Sequence, residues 1–256
     1  MSKTSTKLVG IGVLMAVGAV ASADTVRVTK YVSQYVWDET PVRGAFDSPA
    51  GWGGQSFQGP VAGPGNKTNF YLTQSDMVAA FGSNVTMGDI AKISFHTKRD
   101  GADVTDDLFF MNIYTVPTGT DDSASWYKSR LLINPDEGSS QINDVWQKWS
   151  SDDSESSTNQ LKIEDTKRNG FSGPEGDVGT WIVNGRDYSS EVFGSMAIGT
   201  NSGDNGNNTY VDGITITLFN GDNGEFDLQA IPLPSGSALA GLGLLGVAAR
   251  RRRPEL

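Results

Sequence analysis

The sequence predicts an all-β body, a jelly-roll-like two-sheet β-sandwich with one or two short helices, flanked by an N-terminal signal helix and a C-terminal transmembrane-like helix. Three observations carry that expectation. Apolar residues alternate over short runs, those runs are separated by clusters of Gly, Asn, Asp and Ser, and at least eight such runs are joined by long polar connections. The chain has 256 residues, 37% apolar and 20% charged, with 31 glycines. That is long enough for one or two ordinary cores and too apolar for disorder throughout.

Each element has its own signal. Val26 to Val36 is the first strand candidate. Pro41 to Asn69 is rich in Gly, Pro and Asn and reads as a long loop packed by Phe46, Trp52 and Phe57. Thr73 with Asp76 three residues on makes a capping-box pattern before Met77-Val78-Ala79-Ala80-Phe81, and Gly82 stops that helix. Ile93, Phe95 and Thr97 share one strand parity while Lys92, Ser94 and His96 share the other, the polar and exposed one. Leu108 to Val116 is apolar on both parities, as a central strand covered on both sides would be.

Trp126 to Ile133, Gln160 to Asp165, Gly179 to Asn184 and Met196 to Gly199 are further strand candidates, and Asp187 to Phe193 has room for one or two helical turns. Gln147 to Asn159 is a polar, serine-rich excursion. It and the long loop are expected at the rim of a concave sheet face, where sandwiches carry binding loops. Tyr210, Ile214, Ile216 and Leu218 alternate with Thr215, Thr217 and Phe219, and Asn220-Gly221-Asp222-Asn223-Gly224 turns that strand into Glu225 to Ala230 as a hairpin. No internal repeat is visible, which argues against propellers and solenoids.

The two ends read as addresses, which divides the chain into a leader (1–23), the β-sandwich body (24–230) and a tail (231–256). Lys3 and Lys7 precede an uncharged apolar run from Leu8 to Ala21, and Ala21-Ser22-Ala23 is the small-x-small pattern of signal-peptidase cleavage, giving a mature start at Asp24. At the other end Ile231 to Ala249 carries no charge, and Arg250, Arg251, Arg252 and Arg253 follow. As a helix this stretch would rise about 28 Å, close to the hydrocarbon thickness of a bilayer. Its four glycines make it a weak span, better suited to a transient stop than to a permanent anchor.

The tail, with Pro232-Leu233-Pro234, a Gly- and Leu-rich stretch from Ser235 to Ala249 and the arginine cluster, resembles a PEP-CTERM sorting segment of the proline-leucine-proline kind. Such tails are read by exosortase enzymes in bacteria that make exopolysaccharide. The resemblance therefore implies an exported protein, transiently membrane-anchored and then delivered to the cell surface or extracellular matrix, with signal peptidase and an exosortase-type enzyme as processing partners. It covers only the last 26 residues. The stretches Met87 to Phe95, Phe110 to Tyr114 and Tyr210 to Ile216 are broadly similar to jelly-roll modules of secreted bacterial proteins, including carbohydrate-binding and lectin-like sandwiches. These are strand and turn residues, so they bear on fold and assign no functional residue.

Composition narrows the chemistry. There are no cysteines and only one histidine, which excludes disulfide frameworks, thiolate zinc sites, cysteine nucleophiles and any site that needs two imidazoles. The leader holds Lys3 and Lys7 and the tail holds four arginines and Glu255, so residues 24 to 230 keep 14 basic and 29 acidic groups, a net charge of -15. That argues against nucleic acid as a partner, and anionic polymers would be repelled unless divalent cations bridged them. Neither a Gly-x-Ser-x-Gly elbow nor a phosphate-binding GxxxxGK[ST] loop occurs.

Three candidate chemistries remain. Trp126 with Tyr127, and Trp146 with Trp149, are aromatic pairs that could stack on the apolar face of a pyranose; tryptophan in a sandwich also serves as core. Calcium needs six to eight oxygens, which Asp204 and Asn205 in one cluster and Asp222, Asn223 and Glu225 in another could supply, although these residue types equally build turns without metal. Glycoside hydrolysis needs two carboxyl groups about 5 to 9.5 Å apart, and Asp106-Asp107, Asp121-Asp122, Asp152-Asp153 and Glu164-Asp165 are adjacent pairs. The expected function is non-catalytic, with no catalytic residue assigned and no cofactor other than calcium: binding carbohydrate or contributing to an exopolysaccharide matrix. A polysaccharide-degrading hydrolase or lyase and a purely structural surface protein are the alternatives.

Overall fold

The computed structural model describes residues 23–32, 43–45, 47–59, 69–101, 109–116, 129–135, 142–152, 154–155, 160–165, 176–199 and 209–230. Residues 1–22 and 231–256, Phe46, Trp126, Tyr127, Asp153, Asp204, Asn205 and the pairs Asp106-Asp107 and Asp121-Asp122 lie outside them. Among the described residues no helix is long and apolar enough to cross a membrane.

The described chain is all-β, with two main sheets and one α-helix. The larger sheet has seven strands: β1 (Thr25–Val32), β2 (Arg43–Ala45), β3 (Ser56–Gln58), β5 (Ile90–Arg99), β8 (Gln147–Ser150), β13 (Thr209–Leu218) and β14 (Asn223–Ala230). The five-stranded sheet runs in the order β4 (Asn69–Thr73), β12 (Val192–Gly199), β6 (Phe110–Val116), β7 (Ser129–Pro135) and β9 (Leu161–Asp165), all antiparallel. A small hairpin of β10 (Ile182–Val183) and β11 (Arg186–Asp187) closes on Asn184 and Gly185, both left-handed at φ 51° and 73°. Asn-Gly is the pair that such a two-residue turn demands.

The inner faces meet in one hydrophobic cluster. Ile93, Phe95, Trp149, Val211, Ile214, Ile216, Phe226 and Leu228 come from one sheet, and Phe70, Leu72, Met111, Ile113, Leu131, Ile133, Ile163, Met196 and Ile198 from the other. Burial of each large apolar side chain stabilises the fold by roughly 1.5–3 kcal/mol. Helix α1 (Gln74–Phe81) buries Met77 and Ala80 in that cluster. The Thr73 N–H donates to Asp76 Oδ2 at 2.7 Å, and Gly82 at φ 73° returns its N–H to Val78 O at 2.8 Å, so both expected helix ends are present. Thr86 and Asp89 repeat the N-terminal device over a single 3-10 turn at Met87–Asp89.

The β13–β14 hairpin forms as its turn residues require, with Ile214 opposite Phe226. β1 then adds to β14 in parallel, pairing Thr25 with Asn223 and Val32 with Ala230. The residue after the leader and the residue before the tail are therefore at opposite ends of an eight-residue strand pair, about 25 Å apart.

Five expectations are corrected. The long loop contains β2 and β3, three-residue strands too short to show alternation, and Phe57 within it belongs to the core while Trp52 is half-buried. The polar excursion begins as a strand: β8 pairs with Ser94 to Thr97 of β5. Asp187 to Phe193 is not helical; it ends one short strand and begins β12. β6 is covered fully on one face only, since Met111, Ile113 and Thr115 are buried while Phe110, Asn112 and Tyr114 are half-buried and Val116 is exposed. On β5 the polar parity is not exposed, because Ser94 is buried and His96 half-buried beneath the Trp52 segment.

Candidate functional site

The outer face of the five-stranded sheet brings together side chains from every one of its strands. Register places Tyr71, Ala197, Asn112, Leu132 and Glu164 in one row straight across β4, β12, β6, β7 and β9. The next row holds Thr73, Ser195, Tyr114 and Arg130. Directly paired residues share a face, so these rows form one surface. Tyr71, Asn112, Tyr114, Glu164 and Ser195 are half-buried, whereas Ala197 and Leu132 are buried between their taller neighbours. Ala197 thus lies covered between Tyr71 on one side and Asn112 on the other.

Tyr71 and Tyr114 stand two strands and two residues apart, which separates their backbones by about 12 Å. A bulge between Phe193 and Ser195 sets the row containing Tyr114. Gly194 sits in that bulge because a Cβ there would lie 2.7 Å from the Tyr114 carbonyl oxygen. Chemically these rows hold aromatic rings, an amide that donates and accepts, hydroxyls and one carboxylate.

Glu164 is that carboxylate, and its sequence neighbour Asp165 does not join it. Consecutive strand residues face opposite ways, so Asp165 is buried on the inner side, where the Tyr188 hydroxyl donates to its Oδ2. Burial first, and Asp165 second, hold the Tyr188 hydroxyl above the ordinary phenol range. Asp152 of another pair is tied up locally, accepting from the Ser154 N–H at 2.9 Å and hydroxyl at 2.6 Å. Strand alternation therefore keeps Glu164 and Asp165 from converging as two carboxyls.

The same rule separates Trp146 from Trp149. Their spacing of three is odd, which in extended chain sends the rings to opposite sides. Trp149 is fully buried and donates its indole N–H to Thr97 Oγ1 at 2.7 Å, so its face packs in the core and is not a stacking platform. Trp146 is half-buried, edge-on to Tyr210 at 6.4 Å, and its buried N–H approaches the Asp47 carboxylate without closing a hydrogen bond of regular geometry.

Asp222, Asn223 and Glu225 do not converge on a common point. Asp222 accepts from the Asp24 N–H at 3.1 Å and from the Asn220 amide at 2.8 Å, Asn223 accepts from Thr217 at 2.7 Å, and Glu225 pairs with Arg27 at 2.7 Å. These are turn and ion-pair roles, and among the described residues no group of three or more His, Asp or Glu is arranged to hold a metal ion. Ala23 and Asp24, at the expected cleavage point, are exposed.

The outer face of the seven-stranded sheet is built differently. At Asp212 and Gly213 a bulge lets β13 change partner on one flank, from β14 at residues 214–217 to β3 at residues 210–211, while β5 stays on the other flank. Asp212 lies in that fork, fully buried, with Oδ1 accepting the Leu228 N–H at 2.9 Å and Oδ2 without a partner. Burial drives its carboxyl up to about 7; the N–H groups of Leu228 and Gly213 and the Arg27 charge oppose that rise, and Asp227 adds to it.

Opposite Asp212, His96 donates from Nδ1 to the Gly213 carbonyl at 3.2 Å. Burial, opposed by that hydrogen bond and reinforced by Lys148, holds its imidazole below the ordinary range. Sequence reading missed Asp212, because a lone aspartate before a glycine in a strand reads as a turn residue. It also missed Tyr71 and Tyr114, which only register unites.

No protein-family model, curated protein or solved structure matches the chain. What the described residues show is an all-β body in which one outer face lines up aromatic and polar side chains and the other is roofed by residues 47–55.

Proposed function

We propose that this is an exported, non-catalytic protein whose jelly-roll-like body binds neutral carbohydrate along the outer face of its five-stranded sheet, at the cell surface or in an exopolysaccharide matrix. The observation that carries the reading is the register that sets Tyr71, Asn112 and Glu164 in one row across the sheet, with Tyr114 in the adjoining row. A pyranose presents an apolar face, which stacks on tyrosine, and a rim of hydroxyls, which an amide and a carboxylate can pair. The separation of the two tyrosines suits a short stretch of polymer better than a single sugar. The body charge of -15 favours a neutral glycan over an anionic one.

Delivery rests on the ends. The leader supplies export, with signal peptidase cutting before Asp24, and the tail with Pro232-Leu233-Pro234 and its arginines supplies transient membrane retention and exosortase-type processing. Cleavage at Asp24 would convert an N–H already on Asp222 Oδ1 into an ammonium group on the same carboxylate, so the mature end has a counter-ion waiting. The test is retention of the full chain, exported from a bacterial host, on a panel of neutral and anionic bacterial and algal polysaccharides with calcium or chelator, scoring bound protein and released sugar together. Calcium-independent retention on neutral glycans without release is expected. Release of oligosaccharide would replace the reading with a hydrolase or lyase, and a folded protein silent in both channels would replace it with a structural role.

A further inference from the structure

We infer that residues 47–55 form a proton-operated lid: they close over Asp212 while its carboxyl carries a proton and lift when it ionises. The segment leaves Asp47, arches over the outer face of the seven-stranded sheet and re-enters at β3. At its apex Trp52 rests on Gly213, whose φ of 64° and missing Cβ are both required. A Cβ there would lie 2.7 Å from the indole Cε2 and 2.7 Å from His96 Nδ1. The lid therefore seals against the backbone of the residue next to the buried carboxylate, leaving no room for a side chain between them.

What holds the lid down is polar and peripheral. The Gly53 N–H donates to Asp227 Oδ1 at 3.2 Å, the Gln229 amide reaches Gly53 O at 3.4 Å, and Arg27 donates to Gly51 O at 2.8 Å while its guanidinium stacks 4.6 Å from the Trp52 ring. Lys98 anchors the near hinge on Asp47 at 2.7 Å, and Phe57, fully buried, anchors the far one. Gly51, Gly53 and Gly54 are exposed. Each tie is a single hydrogen bond or a surface contact, worth about 1 kcal/mol or less, so the apex can release while both hinges stay in place.

The load beneath the lid is the Asp212 Oδ2 atom, buried without a partner. Ionised, a carboxylate oxygen excluded from water is costly; neutral, the same group is tolerated. The charged and titratable groups around it do not resolve the conflict in favour of the anion. From β14, Asp227 repels it and Glu225 is committed to Arg27; from β1, Arg27 attracts it but already serves Glu225, Gly51 and Trp52. From β5, burial disfavours the protonated His96 that could compensate the charge, and Lys148 of β8 makes that protonation harder still. Hydrating Oδ2 by lifting Trp52 is the cheapest remaining way to accommodate the charge, since the alternative is opening the core.

The experiment uses the full chain and its Trp52→Phe variant, whose difference isolates the Trp52 contribution to fluorescence quenching by acrylamide between pH 5 and 9. Low quenching at pH 5 is expected, rising with a midpoint near 7. Asp212→Asn, isosteric and unable to ionise, is expected to lose the rise and remain shielded throughout. Asp227→Asn is expected to keep the rise and move its midpoint to lower pH, which preserves the test if Asp212→Asn fails to fold. His96→Gln is expected to leave the midpoint in place. A chain whose Trp52 quenching is flat across the range, a rise that survives in Asp212→Asn, or one that disappears in His96→Gln would overturn the inference.

Discussion

The outer faces of the two sheets started from the same alternating pattern and ended with opposite uses of it. On the five-stranded sheet the outward positions Tyr71, Asn112, Tyr114 and Glu164 are half-buried around a small, buried Ala197. On the seven-stranded sheet the outward positions Asp212 and Asp227 are buried, because residues 47–55 lie on top of them. A polar residue on an outward parity is thus half-buried in one place, where we propose that it binds glycan, and fully buried in the other. On the larger sheet residues 47–55 exclude water from those groups, which converts solvation from a free resource into the controlling energy.

The largest effect that would break this comparison is on stability against pH. Asp212 has a folded pKa of about 7 against an ordinary value of 3.8, so the folded state binds its proton more tightly than the unfolded state does. Its contribution is fully present below about pH 4 and is lost as pH rises towards 7, by up to about 4 kcal/mol. Denaturant titrations of the full chain at pH 5 and pH 8 should show the part of that loss that falls above pH 5, about 3 kcal/mol, and Asp212→Asn should remove most of it. Equal pH dependence in both proteins would mean that the roofed face holds no unusual acid.

A smaller but still substantial effect is expected at the roof contact itself. Gly213→Ala places a Cβ against Trp52 and His96 at a left-handed φ, at a cost of about 3 kcal/mol in unfolding free energy, whereas Gly82→Ala, left-handed but with nothing within 4 Å, should cost about 1 kcal/mol. If the two substitutions prove equal in thermal or chemical unfolding, the lid does not pack where the geometry puts it.

The smallest effect should fall on the outer face of the five-stranded sheet and on binding alone. Tyr71→Ala or Tyr114→Ala should weaken glycan retention about tenfold, the loss of one ring's stacking, while changing the unfolding midpoint far less than Gly213→Ala does. A Tyr71 variant that binds normally but unfolds early would assign that ring to packing, and the contrast between the faces would lose one side.

Much of the fold was legible locally. The capping box of Thr73 and Asp76, the stop at Gly82, the inward parity of Ile93, Phe95 and Thr97 and the hairpin turn at Asn220 to Gly224 depend on contacts within a few residues, and each appears as expected. Asn184-Gly185 carried an equally local hairpin signal that was readable and passed over. By contrast β3 and β8 gain their strand character from partners 152 and 54 residues away, Tyr210 for Gln58 and Phe95 for Trp149.

By itself, then, the sequence determined the all-β class, the helix and its ends, the main hairpin and the acidic charge of the body, because each follows from short-range geometry or from counting. Only the tertiary structure decided that Trp149 is core, that Glu164 and Asp165 face apart, that Tyr71 and Tyr114 share a surface, and that Asp212 is roofed. Those outcomes depend on which strand lies beside which and what covers the result. Strand pairing is set by the collective packing of the core, which no single stretch of residues encodes.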